Sequence, residues 1–169
     1  MIKNNNMVLE VEGARILGGT FRNFAGEPDK FNPQGGDRYF HFEIEDPAVA
    51  NQLKEDGWNV KTWASREEDV EPTYYLKVKV GRYVQFVNMV SGNNIVELID
   101  NKAPEGIDPQ EGLGILDKAD IQHADLVVTP RRWDGGITAY LKSAWVIIEE
   151  DPFAHKYASM GNNSEEVPF

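Results

Sequence analysis

Two short stretches carry side chains that together suit a flat, anionic ligand. In residues 74–80, Tyr75, Lys77 and Lys79 fall in one phase of a strand, opposite Tyr74, Leu76, Val78 and Val80. In residues 58–63, Asn59, Lys61 and Trp63 share one phase, opposite Trp58 and Val60. Rings offer faces on which bases stack, and lysines neutralise phosphates, the combination that sequence-independent binding of a nucleic-acid single strand requires. If the two strands are neighbours they form one basic, aromatic surface. Arg82 and Tyr83 directly follow the second stretch and extend it, and Arg131, Arg132 and Trp133 repeat the composition beside a turn. Arg22 with Phe24 and Arg38 with Tyr39 are weaker members of the same set. The plainer reading is a solvated sheet face, on which lysine protects edges and tyrosine is a good strand former.

A second constellation ends the chain. Glu165, Glu166, Val167, Pro168 and Phe169 place two carboxylates before a proline-constrained aromatic and its terminal carboxylate. Phe169 suits an apolar pocket on a partner, with basic side chains around the pocket meeting Glu165 and Glu166. Residues 158–164 are small and polar, as a linker would be. The expected division is a body of residues 1–157 and a flexible acidic tail of residues 158–169.

Enzymatic and metal chemistry has little to stand on. The chain has no cysteine, which removes disulfides, thiol catalysis and thiolate metal sites. His41, His123 and His155 lack the paired spacing of a metal site, and the glycine-rich stretches lack the lysine of a phosphate loop. Asp56, Glu67, Glu68, Asp69 and Glu71 could hold Mg²⁺ in a nuclease, but a solvated charge run is the simpler account. No catalytic residue, metal or cofactor is therefore expected. The first residues have no apolar signal core and no run is long enough to span a bilayer, so a cytoplasmic location and no membrane partner are expected. The net charge of −11 argues against nucleic acid at face value, yet the acids concentrate in loops and the tail while lysines sit in strands.

Period-two alternation dominates the elements that must carry these residues. Residues 8–24 read as one long strand with bends at Gly13 and at Gly18-Gly19, residues 26–37 as a loop, and residues 38–44 as a strand with Phe40, Phe42 and Ile44 on one face. Asp46 as N-cap, Pro47 in the first turn and Gly57 past the end frame a short helix. Strands follow at 58–63, 74–80 and 83–90, a turn at Gly92, Asn93 and Asn94, and a loop over 102–114. Asp134-Gly135 between residues 124–133 and 137–150 signals a hairpin. Leu141, Trp145 and Ile147 are assigned to the core with Phe40 and Phe42. The expected class is all-β and mainly antiparallel, a small oligonucleotide-binding (OB) type barrel with one short helix and long loops, and a β-sandwich is the alternative.

With residues 46–57, the segment 124–141, residues 146–153 and the Pro168-Phe169 tip in view, the chain resembles phage or prophage single-stranded DNA-binding proteins of the OB type. The tip is similar to the acidic Pro-Phe end of bacterial single-stranded DNA-binding proteins, but has only two nearby acids and a short linker. The resemblance implies sequence-independent binding and protection of single-stranded DNA in phage replication, recombination or repair. It further implies that the tip recruits partner proteins, and it is compatible with a homo-oligomer. A β-rich phage structural or accessory protein and a metal-dependent nuclease are the rival readings.

Overall fold

Phe40, Phe42 and Ile44 alternate with polar neighbours and are buried together, as a strand with one face on a core requires. The same logic generates most of the computed structural model, which describes residues 1–5, 8–30, 32–64 and 70–149. Its strands are β1 (Ile2–Asn5), β2 (Val8–Ala14), β3 (Arg22–Asn23), β4 (Arg38–Ile44), β5 (Val60–Trp63), β6 (Thr73–Val80), β7 (Phe86–Ser91), β8 (Asn94–Glu97), β9 (Ile121–Trp133) and β10 (Gly136–Ile148). The α-helix α1 (Pro47–Glu55) has the expected punctuation: the Asp46 carboxylate accepts from Ala48 N–H at 2.9 Å, and Gly57 takes a positive φ just past the end. Ala50 and Leu53 are the buried side of this helix, which packs against β4, β5 and β6.

The pairing order is β1-β2-β9-β10-β6-β4-β3. Every pair along it is antiparallel except β10 with β6, which run parallel at Ala139–Val78 and Tyr140–Lys79. Strand β5 shares the same edge of β6, and β7 lies parallel to β10 and carries β8 on its far side. The ladders do not close the sheet. A bridge between Ile16 and Phe42 links the stretch after β2 to β4, with Leu17 N–H donating to His41 C=O at 3.0 Å and Glu43 N–H to Arg15 C=O at 2.9 Å. The result is an all-β, OB-like architecture, curled around a core of Leu9, Phe40, Phe42, Leu76, Val78, Val128 and their neighbours.

Two one-residue irregularities decide which side chains face that core. In β2 and the two residues after it the inward set is Leu9 and Val11, then Ala14 and Ile16, a change of parity at Gly13. Gly13 has φ +66°, a region that side chains rarely adopt, and its N–H donates to Asp125 Oδ1 at 2.9 Å. In β10 the inward set is Ile137, Ala139 and Leu141, then Ala144 and Val146, with the register shift between Leu141 and Ser143. That shift overturns the core assignments of Trp145, which is 39% exposed and packs on Phe86 instead, and of Ile147, which shares its phase and is half-buried. A single inserted residue moves everything beyond it to the other face.

Other sequence expectations also change. Residues 8–24 are not one strand, because β2 stops at Ala14 and a 3-10 turn (Gly19–Phe21) precedes the two-residue β3. The loop over 102–114 gives way to a 3-10 segment (Glu111–Asp117) that buries Leu113 and Leu116 completely. Strand β8, pairing with β7 around the Gly92-Asn93 turn, was not expected. The acidic residues Glu67, Glu68 and Asp69, His155, the boundary at 157/158 and the tip residues Glu165, Glu166, Val167, Pro168 and Phe169 lie outside the described residues.

Candidate nucleic-acid interface

Strands β5 and β6 are direct neighbours. Lys61 is paired with Tyr75 and Trp63 with Thr73, so their outward side chains share one face. On the other side of β6, Tyr39 is paired with Lys79, His41 with Lys77 and Glu43 with Tyr75. Leu76, Val78 and Val80 point into the core, and this fixes Tyr75, Lys77 and Lys79 outward. Trp63 is 60% exposed, because its partner face is solvent rather than another layer.

The rings on this face form one cluster. Phe21, half-buried in the 3-10 turn, contacts Trp63 at 5.8 Å, His41 at 5.3 Å and Tyr75 at 5.3 Å between centroids. His41 in turn meets Tyr39 at 5.7 Å and Tyr75 at 5.5 Å, edge to face. Lys77 Nζ sits 4.4 Å from the centre of the Tyr39 ring, a cation–π contact that holds the ammonium beside the aromatic surface. Phe21 was missed from the sequence because it lies in a turn, where no alternation shows which way a side chain points.

The lysines on this face lie close enough to act on one another, despite the chain's acidity. Burial, followed by the like charges of Lys79 and Lys61, pushes the Lys77 ammonium below the ordinary lysine range. Burial also lowers the pKa of His41, and the charges of Lys77 and Lys61 add to the effect. His41 Nδ1 lies 2.7 Å from Phe21 C=O, which can only accept, so Nδ1 carries the proton. Nearby carboxylates are largely occupied. Tyr39 Oη donates to Asp29 Oδ2 at 2.8 Å, and burial together with this bond raises the phenol to about 12. Asp108 accepts from Arg38 Nη2 at 2.8 Å, and bonds from Gln110 N–H and this guanidinium hold its pKa below the carboxylate norm.

The loop walls beside the face are stitched down. Asp117 accepts from Phe24 N–H at 2.7 Å and Ala25 N–H at 2.9 Å, tying the start of the loop after β3 to the Glu111–Asp117 segment. Arg38 reaches Phe24 C=O at 3.0 Å and Gln110 Oε1 at 3.3 Å, while Gln110 Nε2 donates to Gly81 C=O at 2.8 Å. Between these walls and β6 runs a groove of about 690 Å³, lined among others by Tyr39, Lys77, Lys79, Arg82 and Tyr140.

The structure therefore brings Lys61, Trp63, Tyr75, Lys77 and Lys79 onto one surface, and Arg82 and Tyr83 continue past the end of β6, with Tyr83 86% exposed. The β9–β10 hairpin adds to the same outer side: Arg131 is paired with Thr138 and Trp133 with Gly136, in phase with Tyr140, which is paired with Lys79. Trp133 is 62% exposed, and its indole N–H donates to Thr138 Oγ1 at 3.0 Å. Arg132 falls in the opposite phase of the hairpin. Three weaker candidates leave the set. Phe24 is buried and stacked on Phe40, Arg38 is committed to the groove wall, and Arg22 donates to the carbonyls of Leu17, Leu116 and Ala119.

No curated protein and no solved structure matches the chain. The model of one family, described as "Putative phage ssDNA-binding domain", matches residues 1–168. That match spans the strands that build the lysine and aromatic face as well as the hairpin beside it, and the chain belongs to this phage single-stranded-DNA-binding domain family.

Proposed function

We propose that this protein binds single-stranded DNA without sequence preference on the outer face of β4, β5 and β6, with Arg82, Tyr83, Arg131 and Trp133 at its margin. One observation carries the reading: Lys61, Lys77 and Lys79 are interleaved with Trp63, Tyr75, Phe21 and Tyr39 on a single surface of a chain whose net charge is −11. Bases stack on the rings while the ammonium groups neutralise phosphates, and no bond is made or broken. The strand order supports an OB reading, with β4 and β6 as the second and third barrel strands and the β9–β10 turn as the last loop, the parts that take oligonucleotides in OB folds. The role we assign is protection of single strands in phage replication, recombination or repair, with Glu165, Glu166, Pro168 and Phe169 recruiting partner proteins.

Titration of labelled oligo(dT) at two salt concentrations tests the binding. Affinity should fall steeply as salt rises, because released counterions drive the association; salt-independent or absent binding defeats the reading. Deleting residues 165–169 tests the tip. DNA affinity should be equal or higher, while association with a host or phage replication protein is lost. A clear loss of DNA affinity would instead assign the tip to the DNA site.

A further inference from the structure

We infer that the DNA track crosses Tyr140 into a second, connected groove, so that one chain grips a longer strand than the β4–β5–β6 face alone can hold. This rests on the single-strand reading above and extends it to Tyr140 and Lys142, which that reading does not include. The second groove, about 770 Å³, is lined by Arg82, Tyr83, Arg131, Tyr140 and Lys142 together with uncharged neighbours. It shares Gly81, Arg82 and Tyr140 with the groove beside Lys77 and Lys79, so the two are continuous.

Three features make a nucleic-acid strand the fitting occupant. The first groove has Asp29, Asp37 and Asp108 among its lining residues, whereas among the described residues that line the second there are three cations and no carboxylate. In a chain this acidic, such a stretch favours a polyanion. Tyr83 is almost fully exposed and Tyr140 half-buried, which supplies ring surface next to the cations, as stacking requires. At the crossing, residue 81 is glycine: a Cβ there would stand 3.2 Å from Tyr140 Cδ1 and 3.3 Å from Cε1. The bare backbone lets the Tyr140 ring lie across the junction. Lys142 owes its place to the irregularity in β10, and Gln85 N–H donates to its carbonyl at 2.7 Å, which seats residues 82–85 along the groove.

The inference predicts a length dependence. Labelled oligo(dT) of about 4 and about 16 nucleotides, the range for one OB-type domain, would be titrated against the full chain, Lys142→Ala and Trp63→Ala. Lys142→Ala should bind the short oligonucleotide as the unaltered chain does and the long one about fourfold more weakly at about 0.15 M salt, with a salt slope lower by about 0.7. Trp63→Ala should weaken both lengths. Two results overturn the extension while leaving the first face standing: no loss for the long strand, or equal loss for both lengths, when Trp63→Ala does weaken binding. A Lys142→Ala chain that loses a labelled peptide of residues 158–169 but keeps the long oligonucleotide would give the groove to an acidic peptide. If the unaltered chain binds neither length, the single-strand reading itself fails.

Discussion

Replacing Trp63 by alanine separates stacking from charge on the proposed face. The indole is 60% exposed and meets only the Phe21 ring among the aromatic contacts of the described residues, tilted at 32° and 5.8 Å. Most of its surface is thus free to take a base. Loss of one stacked base costs about 1–3 kcal/mol, and at 1.4 kcal/mol per decade the dissociation constant should rise about 5- to 150-fold. The fold loses at most the Phe21–Trp63 ring pair, about 0.5–1.5 kcal/mol, which urea denaturation measures independently. Anisotropy of labelled oligo(dT) across a salt series then distinguishes the contributions. An indole neutralises no phosphate, so the line of log affinity against log salt should move down without changing slope. Lys79→Ala, by contrast, should flatten the slope by about 0.7, the value for one phosphate contact on a single strand. An unchanged affinity for Trp63→Ala, or a slope change matching that of Lys79→Ala, would refute the assignment of Trp63 to stacking.

Three further substitutions probe the scaffold. Because the His41 pKa lies below 6.5 in the folded chain, the unfolded chain takes up the proton first as pH falls, so this group's contribution to stability is intact above about pH 6.5 and declines below it; thermal melts between about pH 8 and pH 5 should show a smaller loss for His41→Gln than for the unaltered chain. Gly13→Ala has open space for its methyl group but keeps φ at +66°, so it should cost about 1–2 kcal/mol in urea unfolding with an unchanged m-value. Asp117→Ala strands the Phe24 and Ala25 N–H groups and should cost about 1–3 kcal/mol, with faster amide exchange confined to residues 24–37 and the Glu111–Asp117 segment.

The sequence by itself determined α1, the phase of β4 and β6, and the composition of the face. Period-two alternation is a local consequence of strand geometry, so the inward set Leu76, Val78 and Val80 and the outward set Tyr75, Lys77 and Lys79 were legible from β6 alone. The cap residues Asp46 and Pro47 likewise marked α1 without any long-range information. Tertiary structure decided the rest. The exposure of Trp145 depends on the irregularity near Lys142, which arises where β10 leaves β6 for β7 while remaining paired with β9, a choice no window of β10 reveals. Phe21 joins the cluster because β3 pairs with β4 and brings the preceding 3-10 turn over His41 and Tyr75. Arg22 and Arg38 look like DNA contacts in the sequence, yet carbonyl and carboxylate groups up to 97 residues away claim them. Long-range hydrogen bonds decide that Arg22 and Arg38 are engaged within the fold, whereas which strands carry lysine beside aromatic rings was already written in the alternation.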